Sequence, residues 1–390
     1  MATMADVMQR FSAAYIKKCP TSPGQLRLIH DILACRTRQL GSHTSACTGC
    51  GQVKVHYNSC GNRGCPNCQG TNKEKWVLER THDLLPVKHF HMVFTLPEQL
   101  RGICWQNQKL VYNLLFQCAW QTLEAFSKDP AQKLEANMGM VAVLHTWTQQ
   151  LHYHPHVHCI VPAGGIAPEG KWKHTKTNGK FLFHVKALAK TFRGKFMEKL
   201  LRHYKAANLS LEGKLAHLQD KGQFWQFKKG LYEKEWVVYA KEAFGNSASV
   251  VEYLGRYTHK IAISNHRILA MEKKTVTFSY LDRKANCKKT STLPGERFLA
   301  RFLLHVLPKG YCKIRHYGFF ATRVKTRVLP PVRKKLGMPN VPRPKYTVRV
   351  VLMITKGIDP LVCSACGSGL LLTIAQTPRP RGSPLQKLAC

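Results

Sequence analysis

The stretch VAVLHTWTQQLHYHPHVHCIVP, residues 141–162, sets the reading of the fold. Residues 141–149 are rich in Val, Leu, Thr and Trp and read as a strand. Polar residues and Pro155 then turn the chain, and HVHCIVP reads as the antiparallel partner. Alternate side chains of a strand share a face. His156 and His158 therefore point one way, while Val157 and Cys159 point the other and can be buried. Two imidazoles on one face can share a divalent ion. Gln149, brought alongside by the hairpin, could add an oxygen. Mg²⁺ and Mn²⁺ accept imidazole in mixed sites but favour oxygen, so an amide and waters would complete the shell. HFH at 89–91 repeats the spacing, and with 19 histidines in the chain spacing alone does not choose between the pairs. No HExxH run suggests a zinc protease.

Outward from this hairpin, residues 1–45 read as mostly helical, broken at Pro20 and Gly24. Residues 46–70 are polar and rich in Gly and Cys. TNKEKWVLERTHDLL, 71–85, reads as a helix, and KHFHMVFTLP, 88–97, as a strand stopped by Pro97. Leu, Phe and Trp recur at helical spacing over 104–127, and 185–218 reads as a basic helix. Short strands are expected at 236–240 and 275–282, with a helix at 250–259. The class is α+β, with an antiparallel sheet and helices. The expected division is an N-terminal helical segment (1–45), a cysteine module (46–70), a main domain (71–285), a basic α/β extension (286–360) and a tail (361–390).

Sixty Lys and Arg stand against 21 Asp and Glu, a net charge of +39, which is far more than solubility requires. A polyanion is the natural partner, through phosphate contacts and counterion release. The imbalance peaks late: no acidic residue occurs from Arg297 to Gly357 or after Asp359. There RFLLHVLPKGYCKIRHYGFF mixes charge with apolar and aromatic residues, as a folded basic surface would. Arg63 and Arg315 are candidate nucleic-acid contacts. No apolar run is long enough to span a bilayer. The opening MATMADVMQRF lacks the basic-then-apolar order of a secretion signal, so a cytoplasmic protein is expected.

Five of the 15 cysteines lie between residues 47 and 68, in CTGCGQVKVHYNSCGNRGCPNC. Cys47 with Cys50, and Cys65 with Cys68, form two C-x2-C knuckles, the usual way to bring four thiolates to one structural Zn²⁺. Cys60 is a further candidate ligand. Cys35, His43 and His56 could join it at a second metal, or could simply be small buried groups around a single zinc. Cys363 and Cys366, in CSAC, form one more knuckle, but two thiols do not complete a tetrahedral site.

YLGRYTHK, 253–260, places two tyrosines one helical turn apart. Ser249 and Glu252 form a capping box that would start the helix. Arg256 and Lys260 stand beside the tyrosines as candidate phosphate contacts. The spacing alone fits an aromatic stripe packed in a core. It also fits two nucleophiles, because a phenol becomes useful where a metal and nearby cations draw charge off a phosphate.

These stretches together resemble the IS91-type transposases, bacterial two-tyrosine enzymes of the HUH superfamily, in which U is a hydrophobic residue. The likeness runs through CRTRQLGSH (35–43), YNSCGNRGCPNCQ (57–69), HFHMVFTLP (89–97), LHTWTQQLHYHPHVHCIVPAGG (144–165), FLFHVKAL (181–188), WVVYAKEAFG (236–245), YLGRYTHKIAISNHRI (253–268) and RFLLHVLPKGYCKIRHYGF (301–319). The resemblance implies an N-terminal zinc-binding module and an HUH endonuclease-like antiparallel sheet. It carries the HUH motif onto His156, Val157 and His158, the nucleophiles onto Tyr253 and Tyr257, and, more loosely, the third ligand onto Gln149. HFH at 89–91 is left as a structural strand. The implied activity is cutting and rejoining of single-stranded DNA at transposon ends through 5′-phosphotyrosine, in rolling-circle-like transposition. Mg²⁺ or Mn²⁺ would serve at the catalytic site, with target DNA and the host replication machinery as further partners and a place at the nucleoid. The same chemistry serves plasmid replication initiators and relaxases. A zinc-dependent DNA-binding protein without activity is the other alternative. The chain departs from the family's usual NRHCPKCQ at NRGCPNCQ, where Gly64 stands for a histidine.

Overall fold

A computed structural model describes residues 2–176, 182–242, 255, 262–282, 285–339 and 344–379. Its centre is a five-stranded antiparallel sheet built on the histidine hairpin. Strand β4 (Gly139–Trp147) pairs with β5 (Tyr153–Pro162), and β5 with β3 (His89–Thr95). β8 (Val238–Glu242) and β12 (Ile314–Gly318) form the edges, giving the order β12-β4-β5-β3-β8. The expected α+β class, with antiparallel sheets and helices, is what the chain has. β12 comes from the basic 286–360 stretch, so that stretch is part of the central sheet.

The two faces of the sheet are chemically different. Phe94, Leu144, Val157 and Cys159 enter a core with Tyr112, Phe116, Phe192 and Phe196 from helices α5 (Gln108–Lys128) and α6 (Val185–Lys205). The helix expected over 104–127 is two helices, because Asn107 leaves helical geometry between α4 (Arg101–Gln106) and α5. Its side-chain amide instead donates to the Ile103 and Ser210 carbonyls. The helix expected over 185–218 ends at Lys205. The opposite face of the sheet carries Val141 and Ile160. There they pack with Trp76 of α3 (Gln69–Asp83) and with Leu329 and Val332 of α9 (Thr322–Lys335).

A second core joins α1 (Met4–Lys18) and α2 (Pro23–Ala34) to α8 (Gly295–Leu303) and to a sheet of β9 (Ile268–Met271), β10 (Thr275–Asp282) and β11 (Cys287–Pro294). Both N-terminal helices start at capping boxes, Thr3 with Asp6 and Ser22 with Gln25. A third sheet places β13 (Leu371–Thr377) beside β1 (Ser42–Cys47), which pairs in turn with β2 (Val53–Tyr57). Helix α10 (Val348–Lys356) packs on α3. Among the described residues, no helix is long and apolar enough to cross a membrane.

Candidate active site and cysteine clusters

The hairpin register gathers the histidines on the sheet face that also carries Val141 and Ile160. His145 of β4 lies directly opposite His156 of β5, and Val143 opposite His158. The ligand nitrogens of His145, His156 and His158 all lie within 4.8 Å of one another. Gln149 is set apart from them. It falls in the turn beyond β4, where its backbone carbonyl accepts from Arg267 Nη2 at 2.5 Å. The third donor that the structure brings to the pair is therefore His145, which packs flat on Trp147 with ring centroids 4.5 Å apart.

The hydrogen bonds orient both HUH imidazoles. His156 Nδ1 lies 2.6 Å from the His154 carbonyl and must donate to it, so in the neutral ring Nε2 carries a lone pair. His158 Nδ1 lies 2.8 Å from His91 Nε2, and the two Nε2 atoms of His156 and His158 face each other at 3.1 Å. A proton between them satisfies this pair. So does a cation, for ligands about 2.1–2.2 Å from an ion at right angles stand about 3 Å apart. With the cation, His158 donates from Nδ1 to His91. His91 thus touches the His158 ring as well as standing in its strand. Its neighbour in HFH, His89, is buried and pushed down to about 4 by that burial.

Trp147, stacked on His145, also lines a cleft of about 850 Å³ together with His305, Lys309, Lys313, Arg27 and Arg379. Burial, and then the nearby Arg63, hold Lys313 down to about 8, and burial holds His305 to about 4. Arg63 itself is turned inward. Its guanidinium donates to the carbonyls of Tyr311, Leu307 and Pro308, so the expected phosphate contact is a clamp on a loop. Arg315 is likewise engaged by Asn113 Oδ1 and the Tyr311 hydroxyl, over the Phe116 ring. Arg323, Arg327, Lys334 and Lys335 on α9 are among the exposed cations of the basic stretch.

Tyr253, Tyr257, Arg256 and Lys260 lie outside the described residues. Gly255, between the tyrosines in sequence, is described; it is helical and buried. A Cβ there would collide with Val77 Cγ2 on α3. Val77 packs in the cluster that holds Val141 and Ile160, on the histidine face of the sheet.

Eight of the described cysteines fall into two groups of four. Cys35, Cys60, Cys65 and Cys68 form one, and Cys47, Cys50, Cys363 and Cys366 the other. The two knuckles expected around one zinc are thus divided. Cys35 closes α2 and Cys68 opens α3, so the first group joins two helix ends through the 60–65 loop. Cys35 and Cys60 lie 3.3 Å and 3.4 Å from Cys68, and three of the four thiols are buried in the second core. This is a four-thiol set suited to structural Zn²⁺, whose ligand sulfurs stand about 3.8 Å apart at a Zn–S bond of about 2.3 Å. His43 and His56 stack on each other across β1 and β2, in neither group. The Gly64 position is tight: a Cβ would come within 2.9 Å of Leu28 Cδ1.

Residues 139–327 match a family described as "Putative transposase", and residues 7–96 one described as "Transposase zinc-binding domain". The chain is 39% identical over 379 residues to "Putative transposase y4qJ" of Sinorhizobium fredii, covering 95% of this chain and 94% of that one. It is 29% identical over 355 residues to "Transposase for insertion sequence element IS801" of Pseudomonas savastanoi pv. phaseolicola, covering 90% and 84%. No solved structure matches.

Proposed function

The chain belongs to the IS91-type transposase family, and on that premise we propose that it cuts and rejoins single-stranded DNA at the ends of an insertion element through 5′-phosphotyrosine esters. The observation that carries the reading is the pair of Nε2 atoms of His156 and His158, 3.1 Å apart, with each ring held through Nδ1. Binding of DNA alone requires no such arrangement. A divalent ion held by His145, His156 and His158 would supply Lewis-acid polarisation of a non-bridging phosphate oxygen.

The chain's own groups account for the rest of the step. A tyrosine hydroxyl of Tyr253 or Tyr257 loses its proton and attacks phosphorus in line. The P–O3′ bond breaks, and the 3′ oxygen leaves with the bonding pair and is protonated to a free hydroxyl. The DNA 5′ phosphate is then an ester of the tyrosine, and the energy of the broken bond is kept for rejoining. Gly255, which separates the two tyrosines in sequence, meets Val77 of α3 on the histidine side of the sheet, and this supports the reading. The Trp147 ring and the Lys309 and Lys313 ammonium groups of the cleft suit a single strand, with stacking for bases and charge for phosphates.

The test uses purified full-length protein, Mn²⁺ and single-stranded DNA from the ends of the element. DNA labelled at its 3′ end is expected to migrate with the protein on a denaturing gel, while 5′-labelled DNA is released with a 3′ hydroxyl. Chelation with EDTA should abolish both. Absence of any adduct over a range of metals and end sequences would defeat the proposal.

His91 gives a finer test. In His91→Phe the ring volume stays but the partner of His158 Nδ1 is lost. Loss of such an orienting partner weakens metal binding by about 10–100-fold. The Mn²⁺ concentration for half-maximal adduct should rise accordingly, with saturated activity largely kept, and His91→Gln should restore much of it. An unchanged Mn²⁺ requirement would reduce His91 to a filler of the strand face.

A further inference from the structure

We infer that Cys47, Cys50, Cys363 and Cys366 form a second structural zinc site, which fastens the C-terminal strand β13 to the N-terminal module. The sulfurs of Cys47 and Cys366 lie 3.6 Å apart and those of Cys50 and Cys363 3.8 Å, across 313 or more residues of sequence. These are the spacings of a tetrahedral four-thiolate set at a Zn–S bond of about 2.3 Å. Ordinary packing would not need four sulfurs within 4.8 Å at the surface, where Cys50 and Cys366 are exposed.

The two halves share one construction. CTGCG and CSACG are each a C-x2-C followed by a glycine in the left-handed region, Gly51 at φ 72° and Gly367 at φ 73°. In each, backbone N–H groups point at the sulfurs. Gly49 and Cys50 approach Cys47 Sγ at 3.4 and 3.5 Å. Ala365 approaches Cys363 Sγ at 3.5 Å, and Gly369 approaches Cys366 Sγ at 3.3 Å. Such donors favour thiolate over thiol. The knuckles meet at their glycines: a Cβ on Gly369 would collide with Cys47 Sγ and come within 2.8 Å of the Gly49 nitrogen. Thr48 N–H donates to the Leu370 carbonyl at 2.9 Å, and β13 continues this contact by pairing with β1 from Cys47↔Leu371 to Ser42↔Thr377. A metal here closes nearly the whole chain into one loop. Without it, β13 would rest mainly on backbone bonds, since much of its surface is exposed.

The inference does not depend on strand-transfer chemistry, so a failed adduct assay leaves it standing. Elemental analysis of full-length protein should find two zinc per chain, and Cys363→Ser/Cys366→Ser should find one. In native alkylation mapped by mass spectrometry, Cys47 and Cys50 should be protected in the parent protein and react in that double variant. Cys35, Cys60, Cys65 and Cys68 should stay protected in both. Amide exchange in Leu371–Thr377 should rise, with the β4–β5 hairpin unchanged. One zinc per chain in the parent protein, or two in the double variant, would overturn the site. So would Cys47 and Cys50 reacting at the same rate in parent and variant. If the variant does not fold, the zinc content of the parent protein and protection of all eight thiols in it decide the matter.

Discussion

His158→Ala is expected to lower DNA–protein adduct formation by about 10³-fold at saturating DNA, with His156→Ala close behind. A metal that stabilises charge on a phosphate contributes several kcal/mol, and each 1.36 kcal/mol is a factor of ten in rate. The two rings differ in what they leave behind. His158 is buried and hydrogen-bonded to His91, so its removal also opens a gap beside a polar side chain. His156 is half-buried and leans on its own strand through the His154 carbonyl. His145→Ala should fall between the His91 and His158 effects, since two ligands would remain. These losses should appear as loss of bound Mn²⁺, read by electron paramagnetic resonance, with zinc content and melting temperature near those of the parent. Normal adduct formation by His158→Ala would remove the histidines from the chemistry.

The histidine hairpin was legible from period-two patterning, and its observed register places His156 and His158 on one face. What sequence could not supply was which β4 residue stands opposite them. That depends on the turn, in which Thr148 and His152 share a backbone bond and Leu151 takes a positive φ. This geometry ends β4 at Trp147, leaves Gln149 in the turn and makes His145 the residue across from His156. Parity along the strand was the available signal, since His145 is odd-numbered with Val141 and Val143 on the same face. The cysteine pairing failed for a different reason. Nearness in sequence joins adjacent knuckles, but loop closure grows costly only slowly with length, so a partner more than 300 residues away is hardly disfavoured. Cys35, Cys60 and CSAC were all visible as thiols; only the tertiary fold assigns them. Charge marked the 286–360 stretch as basic but could not sort its cations: Arg315, Lys325 and Arg333 are bound to protein groups, while Arg323, Arg327 and Lys334 face solvent.

Tyr253→Phe/Tyr257→Phe should form no covalent DNA adduct, a loss beyond the roughly 10³-fold of the histidine variants, because no phenol oxygen remains to take the phosphate. Each single variant should keep an adduct through the other tyrosine but fail to complete an exchange that needs two esters at once. Gly255 separates a nucleophilic role from a packing one. An added methyl there meets Val77, a β-branched side chain on α3 that cannot swing away. Gly255→Ala should therefore shift the backbone between the two tyrosines and reduce the rate by about 10²-fold, as a misplacement of about 1 Å does. Val77→Ala removes the colliding carbon, so the double variant should recover most of the lost rate although each single change harms packing. Recovery of that kind is a coupling between two touching residues, measurable as a double-mutant cycle. If the tyrosines were a packed stripe, the cycle would move melting temperature alone and leave the adduct rate per folded molecule unchanged. An adduct in the double-phenylalanine variant would reassign the nucleophile outright.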